Sequence, residues 1–91
     1  MKRFELDVMV ANRLGLHARP AAALVRQANS FKSNVMLVKD GEEVNCKSVL
    51  SLMMLAAGEG TRLRVLAEGD EDAEDAARAI ARLFSERFGE E

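Results

Sequence analysis

The chain has 91 residues, of which 48% are hydrophobic and 31% are charged, and its formal net charge is -2. This length suits one small domain over residues 1–91 and leaves little room for a deep cofactor cavity. The positive residues are scattered, which argues against nucleic acid as the main ligand, so we expect protein partners. The single cysteine, Cys46, excludes an internal disulfide and a cysteine-based zinc site. We expect neither a metal nor a cofactor.

The first seven residues mix charged and apolar side chains. They lack the continuous apolar run of a signal peptide or a membrane span, so we expect no membrane insertion. A lone cysteine also suits a reducing compartment. Together these features predict a cytoplasmic protein.

Period-two alternation predicts a first strand over residues 4–10. Apolar residues at three-and-four spacing then predict a helix from residue 18 to about residue 30, and Pro20 suits its first turn. Residues 35–39 and 43–46 are short strand candidates. They are joined by Asp40-Gly41, a strong hairpin signal because both residue types tolerate positive φ.

Ser48 is predicted to cap a short apolar helix that is ended by the glycine-containing segment 58–60. Alternation of Leu63, Val65 and Ala67 predicts the last strand. A final helix follows, with an acidic opening at residues 70–72 that suits the positive end of its dipole. The order β-α-β-β-α-β-α, with one apolar face on each strand, predicts an α+β two-layer domain. Its helices should lie together on one face of a mainly antiparallel sheet.

The only histidine, His17, immediately precedes the first predicted helix. A phosphoryl group on its imidazole would meet the unpaired N–H groups of the first turn, the positive end of the helix dipole and the guanidinium of Arg19. Neutral imidazole is nucleophilic near pH 7, and the phosphorylated ring is a good leaving group. Taken alone, a histidine at a helix start is more often a simple cap or a surface residue, and Arg19 is usually just solvated.

No P-loop, Walker lysine or obvious magnesium cluster occurs in the sequence. The chain offers a nucleophile and an anion site but no apparatus for a complete reaction. We therefore expect a phosphoryl carrier rather than an enzyme with its own turnover, and a phosphoryl donor must supply the rest of the chemistry.

The histidine segment reads Gly15-Leu16-His17-Ala18-Arg19-Pro20-Ala21. It resembles the active-site signature of the HPr family, the histidine phosphocarriers of the bacterial phosphoenolpyruvate-dependent sugar phosphotransferase system. A second run, Lys47-Ser48-Val49-Leu50-Ser51-Leu52-Met53, resembles the second signature of that family. The resemblance covers essentially the whole chain and includes the element order and the hairpin.

The resemblance implies an open-faced β-sandwich with four antiparallel strands in the order 1-4-2-3 and three helices on one face. It also implies that enzyme I phosphorylates His17 at Nδ1 and that the A domains of sugar-specific enzyme II accept the group. Arg19 would steady the phosphate, and the carrier would be a monomer. Some family members carry asparagine directly before the glycine of the motif, where this chain has Leu14. The resemblance therefore does not carry an asparagine contact with the histidine over to Asn12.

The second predicted helix has more apolar side chains than one face can bury. We assign Leu52 and Leu55 to the core and expect an exposed partner-docking patch, consisting of Val49, Leu50, Met53 and Met54. Ser48 should cap this helix. The resemblance adds its regulatory phosphorylation by an HPr kinase/phosphorylase, which would place about two negative charges beside the patch. Cys46 is interpreted as a small buried hydrophobe.

Three other functions remain open on the sequence. A nitrogen-branch or regulatory paralogue of the family would use the same residues with other partners. A non-phosphorylated α+β binding module would use the sheet or the helices and leave His17 chemically idle. A small hydrolase is a poor third, because one histidine without a paired nucleophile and an orienting acid is not a catalytic triad.

Overall fold

The computed structural model describes residues 2–90. Four strands form one antiparallel sheet in the order β1-β4-β2-β3. The strands are β1 (Arg3–Met9), β2 (Asn34–Lys39), β3 (Glu42–Asn45) and β4 (Arg62–Glu68). The helices are α1 (Ala18–Asn29), α2 (Val49–Met54) and α3 (Ala73–Ser85), and a 3-10 turn follows at Arg87–Gly89. The predicted α+β class, element order and strand order are confirmed.

The core lies between the sheet and the helices. Helix α3 packs across β1 and β4, while α1 packs against both α2 and α3. The most completely buried large side chains include Leu24, Leu37, Leu52, Ile80 and Phe84. The other face of the sheet carries charged side chains, among them Arg3, Glu5 and Arg64, which form exposed ion pairs. Within residues 2–90, every helix is too short or too polar to cross a membrane.

The hairpin between β2 and β3 is built as expected. Asp40 and Gly41 both take positive φ, at 50° and 87°, which is the conformation of the tight hairpin turn that matches strand twist. Strand β3 runs one residue earlier than predicted. Cys46, expected at its end, is buried and donates its backbone N–H to the carbonyl of Val35.

The predicted end of the second helix was wrong. Helix α2 stops at Met54, before the segment 58–60, because Ala56 takes a left-handed φ of 55°. The Lys39 ammonium lies 3.3 Å from the carbonyl oxygen of Leu55. A cation from a neighbouring strand therefore satisfies the end of this helix, a long-range contact that the sequence pattern does not reveal.

The acidic opening of α3 has a second role besides its position at the helix dipole. Asp72 precedes α3, and its carboxylate accepts hydrogen bonds from the Ser33 hydroxyl at 2.6 Å and from the N–H groups of Lys32 and Ser33. These hydrogen bonds lower the pKa of Asp72 below its ordinary value, and the bond from the Ser33 hydroxyl has the largest effect. Asp72 thus fastens the start of α3 to the start of β2.

Candidate functional site

His17 is the N-cap residue of α1, with φ -74° and ψ -173°. Its carbonyl accepts the first helical hydrogen bond, from the N–H of Ala21 at 3.1 Å. The N–H groups of Ala18 and Arg19 lie in the first turn, where a helix offers no internal partner, and Pro20 has no N–H to satisfy. The His17 side chain is 35% exposed. The imidazole therefore stands at an accessible helix start, beside N–H groups that have no partner within α1.

Arg19 is exposed in the first turn of α1. Within residues 2–90 its guanidinium forms neither a side-chain hydrogen bond nor an ion pair. It is close enough to Glu90 for its positive charge to help lower the pKa of that carboxyl group. Arg19 is thus a charged group near His17 whose donors can meet an added anion.

A tight loop before His17 sets the position of the helix start. Gly15 has a φ of 68°, and a Cβ atom there would lie 2.5 Å from the carbonyl oxygen of Ala57. Leu16 is buried and donates its N–H to that same oxygen at 3.0 Å. Only glycine combines this backbone conformation with this close approach. The chain that follows α2 therefore holds the loop that presents the histidine.

Glu90 completes the surroundings of the imidazole. Its Oε1 lies 2.8 Å from Nε2 of His17, and the side-chain amide of Asn12 donates to the same oxygen at 2.8 Å. The amide also donates to the carbonyl of Gly15 at 2.7 Å. Hydrogen bonds lower the pKa of Glu90 below its ordinary value. The bond with His17 has the largest effect, and the bond from Asn12 has the next largest. Asn12 thus reaches the histidine through Glu90.

Glu90 is a residue of the site that the sequence did not predict. The residue is 73 positions away from His17 and follows the last apolar stripe, so neither spacing nor periodicity links the two. Asn12, whose side chain is fully buried in a loop, is the one member of this contact that lies close to His17 in the sequence. An asparagine at the end of a strand, however, has many ordinary roles in turns.

Helix α2 has the cap and the exposed side chains that its sequence predicts. Ser48 is its N-cap, and its hydroxyl oxygen accepts a hydrogen bond from the N–H of Ser51 at 3.2 Å. Leu52 and Leu55 are buried as expected. The exposed fractions of the patch residues are 38% for Val49, 69% for Leu50, 45% for Met53 and 73% for Met54. Helix α2 packs against α1, the helix that His17 caps. The apolar patch therefore lies on the helix next to the one that begins at the histidine.

Cys46 does not extend the site. It is buried, and burial raises the pKa of its thiol to about 12. Since the thiolate is the reactive form, Cys46 is inert at neutral pH. Among the residues that the structure describes, no group of histidine, cysteine and acidic side chains could hold a metal ion. A depression of about 690 Å³ on the uncovered face of the sheet is lined by Asp7, Arg62 and Arg64, among others, and does not include His17.

The chain is similar to known proteins over most of its length. A family model described as "PTS HPr component phosphorylation site" matches residues 4–86. The phosphocarrier protein HPr of Xylella fastidiosa (strain 9a5c) is 46% identical over 87 residues, covering 96% of this chain and 97% of that protein. The HPr-like protein Crh of Bacillus subtilis (strain 168) is 46% identical over 79 residues, covering 87% of this chain and 92% of that protein.

Solved structures match over the same extent. The crystal structure of HPr-C-His from Thermoanaerobacter tengcongensis has a TM-score of 0.90 and 42% identity, and the match covers 100% of this chain and 99% of that chain. A crystal structure of an HPr dimer from the same organism has a TM-score of 0.75 and 41% identity, covering 99% and 100% of the two chains. The sequence match and the fold match both extend over nearly the whole chain, which therefore belongs to the HPr family of phosphotransferase-system phosphocarriers.

Proposed function

We propose that residues 1–91 act as a single phosphocarrier domain that accepts a phosphoryl group on His17 from phosphorylated enzyme I and passes it to enzyme II A domains. The observation that carries this proposal is the placement of His17, an accessible imidazole at the N-cap of α1. Free N–H groups and the positive end of the helix dipole favour an anion at this position. Arg19, exposed in the same turn, would steady the phosphate.

The imidazole supplies the chemistry of both transfers. In the first, the lone pair of Nδ1 attacks phosphorus while the bond between phosphorus and the donor breaks and leaves its electron pair on the donor. In the second, an acceptor nucleophile attacks phosphorus and the electron pair of the breaking bond returns to Nδ1. No group in this scheme hydrolyses the phosphoryl group, so the chain carries it and does not turn over a substrate of its own.

The direct test is incubation with phosphoenolpyruvate and a purified enzyme I, followed by intact-mass measurement and peptide mapping. We expect the mass gain of one phosphoryl group, located on His17, that is lost in acid and kept in alkali, as a phosphohistidine behaves. An unmodified protein, or an acid-stable phosphate, would contradict the proposal. Adding an enzyme II A domain should then discharge the carrier.

Two family variants of this function differ in their partners. A nitrogen-branch carrier would use His17 with a different enzyme I, so parallel assays with both classes of enzyme I separate the branches by rate. A regulatory role is favoured by the similarity to Crh, the catabolite repression HPr of Bacillus subtilis, and by a serine, Ser48, at the N-cap of α2. For that role we propose phosphorylation of Ser48 by an HPr kinase/phosphorylase, which incubation with such a kinase and ATP would test.

The working form that we propose is a cytoplasmic monomer. In a single chain, His17 and the α2 patch are both open to a partner protein. The dimer of the Thermoanaerobacter protein makes self-association the alternative. Sedimentation at several protein concentrations decides between them, and a dimer at micromolar concentration would contradict the monomer.

A further inference from the structure

We propose that Glu90 is a positioning residue for phosphoryl transfer, whose carboxylate holds the proton of His17 on Nε2 and so leaves the lone pair of Nδ1 free to attack phosphorus. This inference rests on the proposed carrier function and deepens it. The distance from Oε1 of Glu90 to Nε2 of His17 is 2.8 Å. A neutral imidazole has one donor and one acceptor nitrogen, and the hydrogen bond made by one nitrogen sets the role of the other.

The Glu90 carboxylate is fixed by burial and by hydrogen bonds, unlike a freely rotating surface side chain. Only 13% of its side chain is exposed, compared with 35% for His17. Asn12, which is fully buried, donates one amide hydrogen to Oε1 of Glu90 and the other to the carbonyl of Gly15. Both partners of this amide nitrogen are hydrogen-bond acceptors. If the amide were flipped by 180°, its oxygen, which cannot donate, would face them and both hydrogen bonds would be lost. The hydrogen bonds thus fix how Asn12 holds Glu90.

The backbone before Glu90 is shaped to bring it to the histidine. Arg87, Phe88 and Gly89 are all left-handed, with φ of 56°, 54° and 73°. This turn reverses the chain after α3 and closes with a hydrogen bond from the N–H of Glu90 to the carbonyl of Arg87 at 2.9 Å. The Phe88 ring anchors the turn by packing edge-on against Phe84, with 4.9 Å between ring centroids. Left-handed backbone is costly for residues with a Cβ, so the turn must be held by such contacts.

The contact leaves the phosphoryl-accepting side of the ring open. The lone pairs of Nδ1 and Nε2 point in widely different directions in the ring plane, so a carboxylate on Nε2 does not occupy the approach to Nδ1. When Nδ1 forms its bond to phosphorus and the donor takes the electron pair of the broken bond, the ring becomes positively charged. The proton stays on Nε2, and the Glu90 carboxylate faces that charge. When the phosphoryl group leaves, the pair returns to Nδ1 and the starting tautomer is restored.

The groups that face the Glu90 carboxylate are the imidazole of His17, which donates a hydrogen bond to it, and the positively charged guanidinium of Arg19. Both attract it, so the carboxylate remains ionised and in place at neutral pH. The functional site of the chain therefore includes a carboxylate as well as the histidine and the arginine of the signature.

The test compares Glu90→Ala with Glu86→Ala, which removes the same charge from an exposed side chain on the same turn of chain. We expect Glu90→Ala to lower kcat for phosphoryl uptake from enzyme I by roughly three- to tenfold, the size of one ordinary net hydrogen bond. KM for the carrier should change little, because the contact orients the nucleophile and does not bind the donor. Glu86→Ala should leave both constants unchanged. Phe88→Ala, which loosens the turn, should resemble Glu90→Ala.

A second readout follows the contact itself. Proton NMR of the wild type should show the Nε2–H of His17 slowed in its exchange with water, and Glu90→Ala should lose that resonance while Glu86→Ala keeps it. The inference would be overturned if the wild type is phosphorylated but Glu90→Ala and Glu86→Ala have the same kcat and both keep this resonance. The carrier function would then still stand. A rise in kcat would also overturn it, because Glu90 would then be an obstructing group. Failure of the wild type to take up phosphate would remove the carrier function, and with it this role of Glu90.

Discussion

The backbone N–H of Leu16 donates a 3.0 Å hydrogen bond to the carbonyl oxygen of Ala57. Leu16 belongs to the segment that presents His17, and Ala57 follows the helix that Ser48 caps. A backbone hydrogen bond therefore joins the first signature to the segment that follows the second one. A change that forces these two segments apart should affect both the stability of the domain and the position of the histidine.

Gly15→Ala is such a change. The new Cβ would lie 2.5 Å from the oxygen of Ala57, at a φ of 68° that an L residue rarely adopts. We expect a loss of about 2 to 4 kcal/mol in the free energy of unfolding, from backbone strain together with overpacking. Gly41→Ala is the matched control, because its φ is 87° and nothing lies within 4 Å of the added atom. It should cost about 1 kcal/mol from strain alone. Urea unfolding measures both values. Equal losses of stability would contradict the prediction, because they would show that the Ala57 segment moves to accommodate the added Cβ at little cost.

His17→Ala should abolish phosphoryl uptake and leave the fold intact. The side chain is 35% exposed, and its removal takes nothing from the hydrophobic core and costs one hydrogen bond, that to Glu90, so the protein should remain folded. Intact mass after incubation with phosphoenolpyruvate and enzyme I, together with a thermal melt, checks both statements. A folded His17→Ala protein that still gains an acid-labile phosphate would refute the assignment of the site.

Arg19→Ala should slow transfer without preventing phosphorylation. The first-turn N–H groups would still receive the anion, and the lost charge-assisted contact should reduce kcat/KM by roughly three- to tenfold. Arg26→Ala removes the same charge from an exposed position in the last turn of α1 and serves as the control. Equal rates for these two variants and the wild type would make Arg19 a bystander.

The sequence predicts the parts of this molecule that depend on local rules. The hairpin at Asp40-Gly41 follows from turn chemistry, the cap at Ser48 from the orphan donors of a helix, and the division of α2 into core and exposed side chains from its apolar excess. Periodicity could not reveal the contact between Glu90 and His17, or that between Asp72 and Ser33. Each joins polar groups that are distant in sequence, and only the packed fold brings them together.

The carboxylate of Asp72 makes stability depend on acid pH. Hydrogen bonds from Ser33 and Lys32 lower its pKa in the folded protein, so the unfolded chain binds its proton first as the pH falls. The stabilisation is therefore full above the unfolded value, about 3.9, and is lost as the pH falls through the lower folded value. Asp72→Asn should be less stable than the wild type at pH 7, and the difference should shrink at acid pH. Melts of both proteins across this range check the sign, and a constant difference would contradict it.

Ser48→Asp separates folding from docking at the start of α2. Aspartate keeps an oxygen that can accept the hydrogen bond now made by Ser51 N–H, and its charge lies at the favourable end of the helix dipole. Stability should therefore hold or rise slightly, whereas Ser48→Ala should lose about 1 kcal/mol with its cap. Thermal melts of the three proteins measure this difference and show that each is folded before any kinetic comparison.

The kinetic effect of Ser48→Asp should fall on association with enzyme I. Its charge would stand next to Val49 and Leu50, exposed apolar side chains that a partner must cover and dehydrate. We expect a raised KM for the carrier with little change in kcat, and a smaller effect at high salt if part of it is long-range repulsion. Ser48→Ala adds no charge and should keep the wild-type KM. Equal KM values for the aspartate and alanine variants, both folded, would mean that α2 lies outside the docking surface and that Ser48 serves only as a cap.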